Sequence, residues 1–166
     1  MRKVTPAKAG LPGPVWASYA AMANNGGAII GYAAFGFLAD AFGRKPITIA
    51  YVALAFVSVP AVFLWTTDLT LVLWLAALSG AFVSGQYTWM ACWLPELFPT
   101  RVRATATAFV FNTPRLIAWT GPLISGWLIA NFGSFSQAAV AIACVYFISL
   151  AAAPFLPETK GKPLPE

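Results

Sequence analysis

From Leu69 to Leu94 the chain carries no charged side chain. As an α-helix this stretch extends roughly 39 Å at ~1.5 Å per residue, more than the ~30 Å of hydrocarbon in a bilayer. Four further apolar runs, residues 15–39, 47–65, 104–130 and 137–156, repeat the pattern, and only Arg115 interrupts the 104–130 run. None of them alternates strictly, and all are too long for barrel strands. Hydrocarbon offers the backbone no hydrogen-bond partner, so such runs must satisfy their own N–H and C=O groups as helices. Composition agrees: the chain is 60% hydrophobic and 9% charged, where a soluble domain carries about a quarter charged residues. The expectation is an all-α membrane protein with about five transmembrane helices. A tail over 1–14 precedes the transmembrane domain at 15–156, and a Pro-rich polar tail at 157–166 leaves the membrane.

Several function classes fall away on the same reading. The net charge of +5 does not form one patch but divides into small clusters between apolar runs, so no nucleic-acid partner is expected. Cys92 and Cys144 each sit inside an apolar run without a partner at metal-ligand spacing, which reads as two inert thiols and no metal site. With no His, no paired nucleophile and base, and no phosphate-binding glycine loop, neither an enzyme nor a bound cofactor is expected.

Orientation follows from the basic residues. Arg44, Lys45, Arg101, Arg103, Lys160 and Lys162 fall after the first, third and fifth runs, whereas the turns after the second and fourth carry no Lys or Arg. Positive residues stay inside, so these segments and the carboxy-terminal tail are expected on the cytoplasmic side. The amino-terminal tail then lies outside, where Arg2, Lys3 and Lys8 fit badly. A chain lacking at least one preceding helix resolves the conflict. Gly27 and Gly31, four residues apart, mark a face on which another helix can approach closely. Pro60, Pro114 and Pro122 each remove a backbone donor and are expected to kink or loosen their helices.

Three short segments carry more. The first reads Gly36-Phe37-Leu38-Ala39-Asp40-Ala41-Phe42-Gly43-Arg44-Lys45, a helix end with Gly43 as the expected C-cap and basic residues near the negative dipole end. It resembles the signature loop of the major facilitator superfamily, G-x-L-a-D-r-x-G-r-k, except that Ala41 replaces the usual basic residue and removes one charge from the expected network. Pro95-Glu96-Leu97-Phe98-Pro99-Thr100-Arg101-Val102-Arg103-Ala104 is similar to the segment between the tenth and eleventh helices of many members. Leu156-Pro157-Glu158-Thr159-Lys160-Gly161-Lys162 resembles the ending after the twelfth. The resemblance covers nearly the whole chain and aligns it with helices eight to twelve. It implies a secondary transporter of two six-helix halves around a central solute site, truncated here at the amino terminus, in a bacterial inner membrane. Its partners would be a small solute, protons, the bilayer and the absent amino-terminal half.

Arg115 is the most informative residue for a solute site. It lies roughly 16 Å into its run at ~1.5 Å per residue, and a charge that deep costs at least about 2.5–3.5 kcal/mol. Helical spacing puts Asn112, Arg115 and Trp119 on one face, a set suited to a planar carboxylate. In family branches that carry organic acids, an Arg commonly occupies this region. The leading expectation is proton-coupled symport of a small aromatic or carboxylic acid bound at Arg115; the alternative at this residue is a structural ion pair or snorkelling to the interface. Asn25 and Gln86 are weaker candidates, since mid-membrane amides more often join helices. Asp40, Arg44, Glu96, Arg103 and Glu158 project at one membrane face and, with Gly36, Gly43 and Lys45 of the loop motif, read either as a gate or as ordinary solvated loop ends. In sugar-carrying relatives equivalent charges pair across helices. A sugar:proton symporter, suggested by the Pro157–Gly161 ending, and a non-transporting remnant are the competing functions.

Overall fold

A computed structural model describes residues 13–64 and 68–166. The amino-terminal tail as far as residue 12, with Arg2, Lys3 and Lys8, and the end of the second apolar run at 65–67 lie outside the described residues. Within them the chain is helical, with no strand. Helix α1 (Gly13–Phe42) leads through Gly43 into α2 (Arg44–Leu64). Helix α3 (Leu69–Ser79) passes into a π-helical segment (Gly80–Ser84), then into α4 (Thr88–Cys92) and a 3-10 turn (Leu94–Leu97). There follow α5 (Arg103–Ala118), α6 (Gly121–Phe132), α7 (Phe135–Ala143), α8 (Val145–Ala152) and a final 3-10 turn (Ala153–Phe155).

Three stretches are long and apolar enough to cross a membrane as single helices: Arg44–Phe63, Thr70–Leu97 and Phe135–Phe155. They match three of the five runs read from the sequence. The other two differ for physical reasons. Helix α1 has the length but is diluted by Asn24, Asn25 and Asp40. The 104–130 run is not one helix: it breaks at Trp119–Thr120, where Thr120 N donates to Ile117 O at 3.0 Å. Pro122 comes within the first two positions of α6 and has no N–H with which to continue the ladder. Pro60 and Pro114, by contrast, sit inside continuous helices. The break expected near 131–134 is present: Gly133 adopts φ +65° and caps α6 through N–H to Ile129 O at 2.9 Å.

The helices pack by close backbone approach. A Cβ on Gly27 would overlap the Ala77 carbonyl, and one on Gly31 the carbonyl of Ala81; a Cβ on Gly80 would likewise strike the Asn24 backbone. This is the small-residue contact that Gly27 and Gly31 announce. Asn24 Nδ2 fastens it by donating to Ala76 O at 3.1 Å, and Tyr51 OH ties α2 to the same stretch of α1 through Gly31 O at 3.3 Å. Phe35, Ala39 and Tyr51 form the core below, with Phe82 and Trp89 packed against it. Edge-to-face rings join α1, α2 and the π segment, Phe35–Tyr51 at 5.0 Å and Tyr51–Phe82 at 5.6 Å. Many large apolar side chains point outward, among them Ile29, Phe37, Leu116 and Ile148. Hydrocarbon tolerates such a surface, whereas in water it would drive association.

Candidate functional site

Two sets of polar residues stand out, one at the charged end of the bundle and one on α5. At the charged end, α1 stops because Gly43 takes φ +110°, a conformation open to glycine and strained for other residues. Its N–H closes the last turn on Ala39 O at 3.0 Å. Arg44 Nη1 donates to the same Ala39 carbonyl at 3.2 Å, and Lys160 Nζ donates to Ala41 O. Basic groups thus satisfy the last carbonyls of α1 at the negative end of its dipole.

The same turn starts α2, whose first donors need an acceptor. Glu158, from the far end of the chain, supplies it. Arg44 N and Lys45 N each donate to its carboxylate at 3.0 Å, joined by Thr159 N at 2.9 Å and Lys160 N at 3.0 Å. Burial, the largest influence, pushes the Glu158 carboxyl up; the four N–H donors together outweigh it and hold the group below the ordinary Glu range. A carboxylate at a helix N-terminus is favourable by both hydrogen bonding and dipole. Gly43 must also be small here, because a Cβ would come within 2.7 Å of Glu158 Oε2.

Arg44 carries the central ion pair. Its Nε and Nη2 meet the two Glu96 oxygens at 3.2 Å each, a fork-to-fork geometry. Its Nη1 reaches Asp40 Oδ1 at 2.9 Å. The Arg44 and Glu96 side chains are 18% and 22% exposed, but Asp40 is 74% exposed, so the Glu96 pair dominates. Thr159 Oγ1 donates to Glu96, and Lys45 Nζ to Pro154 O at 2.6 Å. Trp93, wholly buried, donates Nε1–H to Pro157 O at 3.1 Å. The structure therefore joins Asp40, Gly43, Arg44, Lys45, Glu96 and Glu158. Arg103 departs from the expected charge network: among the described residues it meets no carboxylate, and its Nε donates to the carbonyls of Pro95 at 2.9 Å and Phe98 at 3.3 Å. Gly36 lies on α1 with open space where a Cβ would stand, so packing gives it no role.

The α5 set is built differently. Arg115 Nη1 donates to Asn112 Oδ1 at 3.2 Å, and its guanidinium lies 4.4 Å from the centre of the Phe111 ring. Asn112 Nδ2 in turn donates to Ala108 O at 2.7 Å. All of these bonds stay on one helix. Arg115 is exposed and has no carboxylate partner among the described residues. Trp119 caps α5 and is 70% exposed, with its indole bonded to neither Arg115 nor Asn112. A groove of about 620 Å³ runs from the 95–103 loop along the α5 face of Ala104, Thr107, Phe111 and Asn112.

The other two candidate amides separate. Asn25 is exposed and bonds back to Ala21 O of its own helix at 2.9 Å. Gln86 is 9% exposed and donates Nε2 to the Tyr146 hydroxyl at 3.4 Å, joining the third span to α8. The sequence did not mark Tyr51, Trp93, Tyr146, Thr159 or Lys160 as site residues. The last two stand inside the Pro-Glu-Thr-Lys-Gly segment, and Trp93 shortly precedes the loop motif; an aromatic donor among apolar neighbours was the available signal.

The charged loop, the 95–104 segment and the tail lie together in space, as their order along the chain alone did not require. Comparison with known proteins agrees. The family model described as Major Facilitator Superfamily matches residues 4–166. The glycine betaine/proline/ectoine/pipecolic acid transporter of Dickeya dadantii is 37% identical over 131 residues, 78% of this chain and 26% of that protein. A putative metabolite transport protein of Haemophilus influenzae is 36% identical over 139 residues, 83% of this chain and 34% of its own length. The proline/betaine transporter of Escherichia coli is 30% identical over 131 residues, again 78% and 26%. The chain thus spans between a quarter and about a third of these relatives, and it belongs to the major facilitator superfamily of membrane transporters.

Proposed function

We propose that this chain forms part of a secondary transporter for a small solute bearing a carboxylate, taken up with protons across a bacterial inner membrane. The observation that carries the reading is Arg115, a guanidinium inside an apolar helix whose side-chain partners among the described residues are the uncharged Asn112 and the Phe111 ring. Asn112 fixes one guanidinium nitrogen, and the remaining donors suit the two oxygens of a carboxylate. Betaine and proline, named in two of the relatives, are zwitterions whose anionic group is a carboxylate, which makes such solutes as good a fit as simple organic acids. The solute pathway would be completed by chain lying outside the present sequence.

In this reading the charged end faces the cytoplasm and is closed, with the Arg44–Glu96 pair and the Glu158 cap as its fastenings. The five acidic residues, Asp40, Asp68, Glu96, Glu158 and Glu166, all lie at helix ends or in the tail. A proton-carrying group at mid-membrane would therefore come from elsewhere in the complete transporter.

The test is uptake of labelled betaine, proline, benzoate and glucose by cells expressing the chain within a complete transporter. Arg115→Ala should abolish uptake of the carboxylate-bearing solute. Arg115→Lys should retain the charge yet lose most of the affinity, because an ammonium cannot grip two oxygens in one plane. Full uptake by both variants would defeat the carboxylate reading, and preferential uptake of glucose would return the sugar alternative.

A further inference from the structure

The tail does not end its work at the Glu158 cap. Beyond it the backbone turns at Gly161, φ +73°, with Lys162 N donating to Thr159 O at 3.0 Å. Pro163 and Pro165 stiffen the last few residues and contribute no donors of their own. The segment runs back across the 95–103 loop, where the Pro165 carbonyl accepts from Thr100 N at 3.2 Å, Thr100 Oγ1 at 3.4 Å and Arg103 Nη2 at 3.5 Å. Leu164 between the prolines is 54% exposed, so no buried apolar anchor holds the crossing. Beneath it lies a cavity of about 470 Å³ bounded by Arg44, Glu96, Glu158, Lys162 and Pro165.

We propose that residues 161–165 are a releasable strap that holds the charged end shut. The mechanics come from the parts that the strap connects. Arg103 grips the 95–103 loop internally through Pro95 O and Phe98 O, and grips the strap through Pro165 O. That loop carries Glu96, the partner of Arg44. The segment at the other end of the strap carries Glu158, which caps Arg44 and Lys45. Loop and tail are therefore tied twice, at Thr159–Glu96 and at Pro165–Thr100/Arg103. Glu96 cannot leave Arg44 with the tail in place unless one tie breaks. Three hydrogen bonds to one carbonyl, without apolar burial, are weak enough to open and re-form locally. The strap thus adds a removable hold to the ion pair instead of a permanent one. The inference rests on reading the charged end as a closing device, but its test uses no transport.

Hydrogen exchange on the purified chain in nanodiscs gives that test. Arg44 N–H and Lys45 N–H bond to Glu158 and touch no strap residue. Deleting residues 162–166 should speed their exchange about tenfold, the low end of what losing three hydrogen bonds produces. Gly161→Val, which disfavours the left-handed turn, should act in the same direction. Faster exchange confined to Thr100–Arg103, with Arg44 and Lys45 unchanged in both variants, would overturn the proposal. Should the deletion fail to fold, a Thr100→Cys/Pro165→Cys pair, with Cys92 and Cys144 replaced by Ser, provides the second measurement. The oxidised pair should cross-link and slow exchange at Lys45, with reduction reversing it; failure to cross-link, or no slowing, counts against the strap. Arg44→Ala separates the two ideas. If it accelerates exchange in the 94–103 loop while strap removal does nothing, the closing device stands without the strap; if neither acts, both fall.

Discussion

The charged end and α5 use the same chemistry to opposite ends. At the charged end Arg44 bonds to a glutamate 52 residues away and its backbone to one 114 residues away. Around Arg115 on α5 the polar side-chain bonds stay within one turn: Arg115 to Asn112, Asn112 to Ala108, Thr113 to Phe109. The first region finds its partners across helices; among the described residues the Arg115 side chain finds its partners, Asn112 and the Phe111 ring, on its own helix.

Arg44→Ala should have the largest effect on stability. It leaves Glu96 short of its bidentate partner and removes a bond to the Ala39 carbonyl, about 2–3 kcal/mol for charged hydrogen bonds in a partly buried setting. Thermal unfolding of the detergent-solubilised chain measures this, and an unchanged midpoint would mean the clasp contributes nothing. Gly43→Val should come next at about 2 kcal/mol, since it forces a β-branched residue to positive φ against Glu158. A smaller loss, about 1 kcal/mol, is expected for Glu158→Gln, which keeps an acceptor but surrenders the charge.

Glu158 also sets a pH signature. Its carboxyl titrates below the ordinary Glu range when folded, so the stability it contributes is fully present above about pH 4.3 and disappears as pH falls through the folded value. Acid unfolding should therefore show a loss in the wild type that Glu158→Gln lacks; identical acid profiles would place the carboxylate's role elsewhere. Arg115→Ala should change stability least, by under about 0.5 kcal/mol, because an exposed residue bonded within its own turn carries little folding energy. A destabilisation as large as that of Arg44→Ala would erase the contrast and make Arg115 part of the scaffold.

Legibility in the sequence divides along the same line. Charge count and motif order mark Asp40, Arg44, Glu96 and Glu158 as members of one end, because hydrocarbon expels charges to the helix termini whatever the packing. Which of them bond could not be read. The Glu158 cap depends on where the last helix emerges, and Arg103 has the chemistry of an ion-pair partner, yet the loop carbonyls lie nearer. Gly27 and Gly31 were legible because a four-residue spacing fixes a helix face. The break at Trp119–Thr120 was legible in Pro122, which cannot continue the ladder; the interruptions at Gln86–Tyr87 and Cys144 were not, since there a helix changes register with no proline to enforce it. Trp119 fits its predicted face by spacing, yet spacing says nothing about whether an indole finds a neighbour.

The backbone-to-backbone seam between α1 and the continuous stretch of α3 and the Gly80–Ser84 segment has a mechanical consequence. Helices separated by side chains can slide as rotamers adjust, but Gly27, Gly31 and Gly80 leave no such cushion. Rotation of either helix about its own axis would drive Cβ atoms into carbonyls. These two must therefore travel as a single plank, and any swing of the assembly has its fault line beyond them, toward the loosely fastened α5.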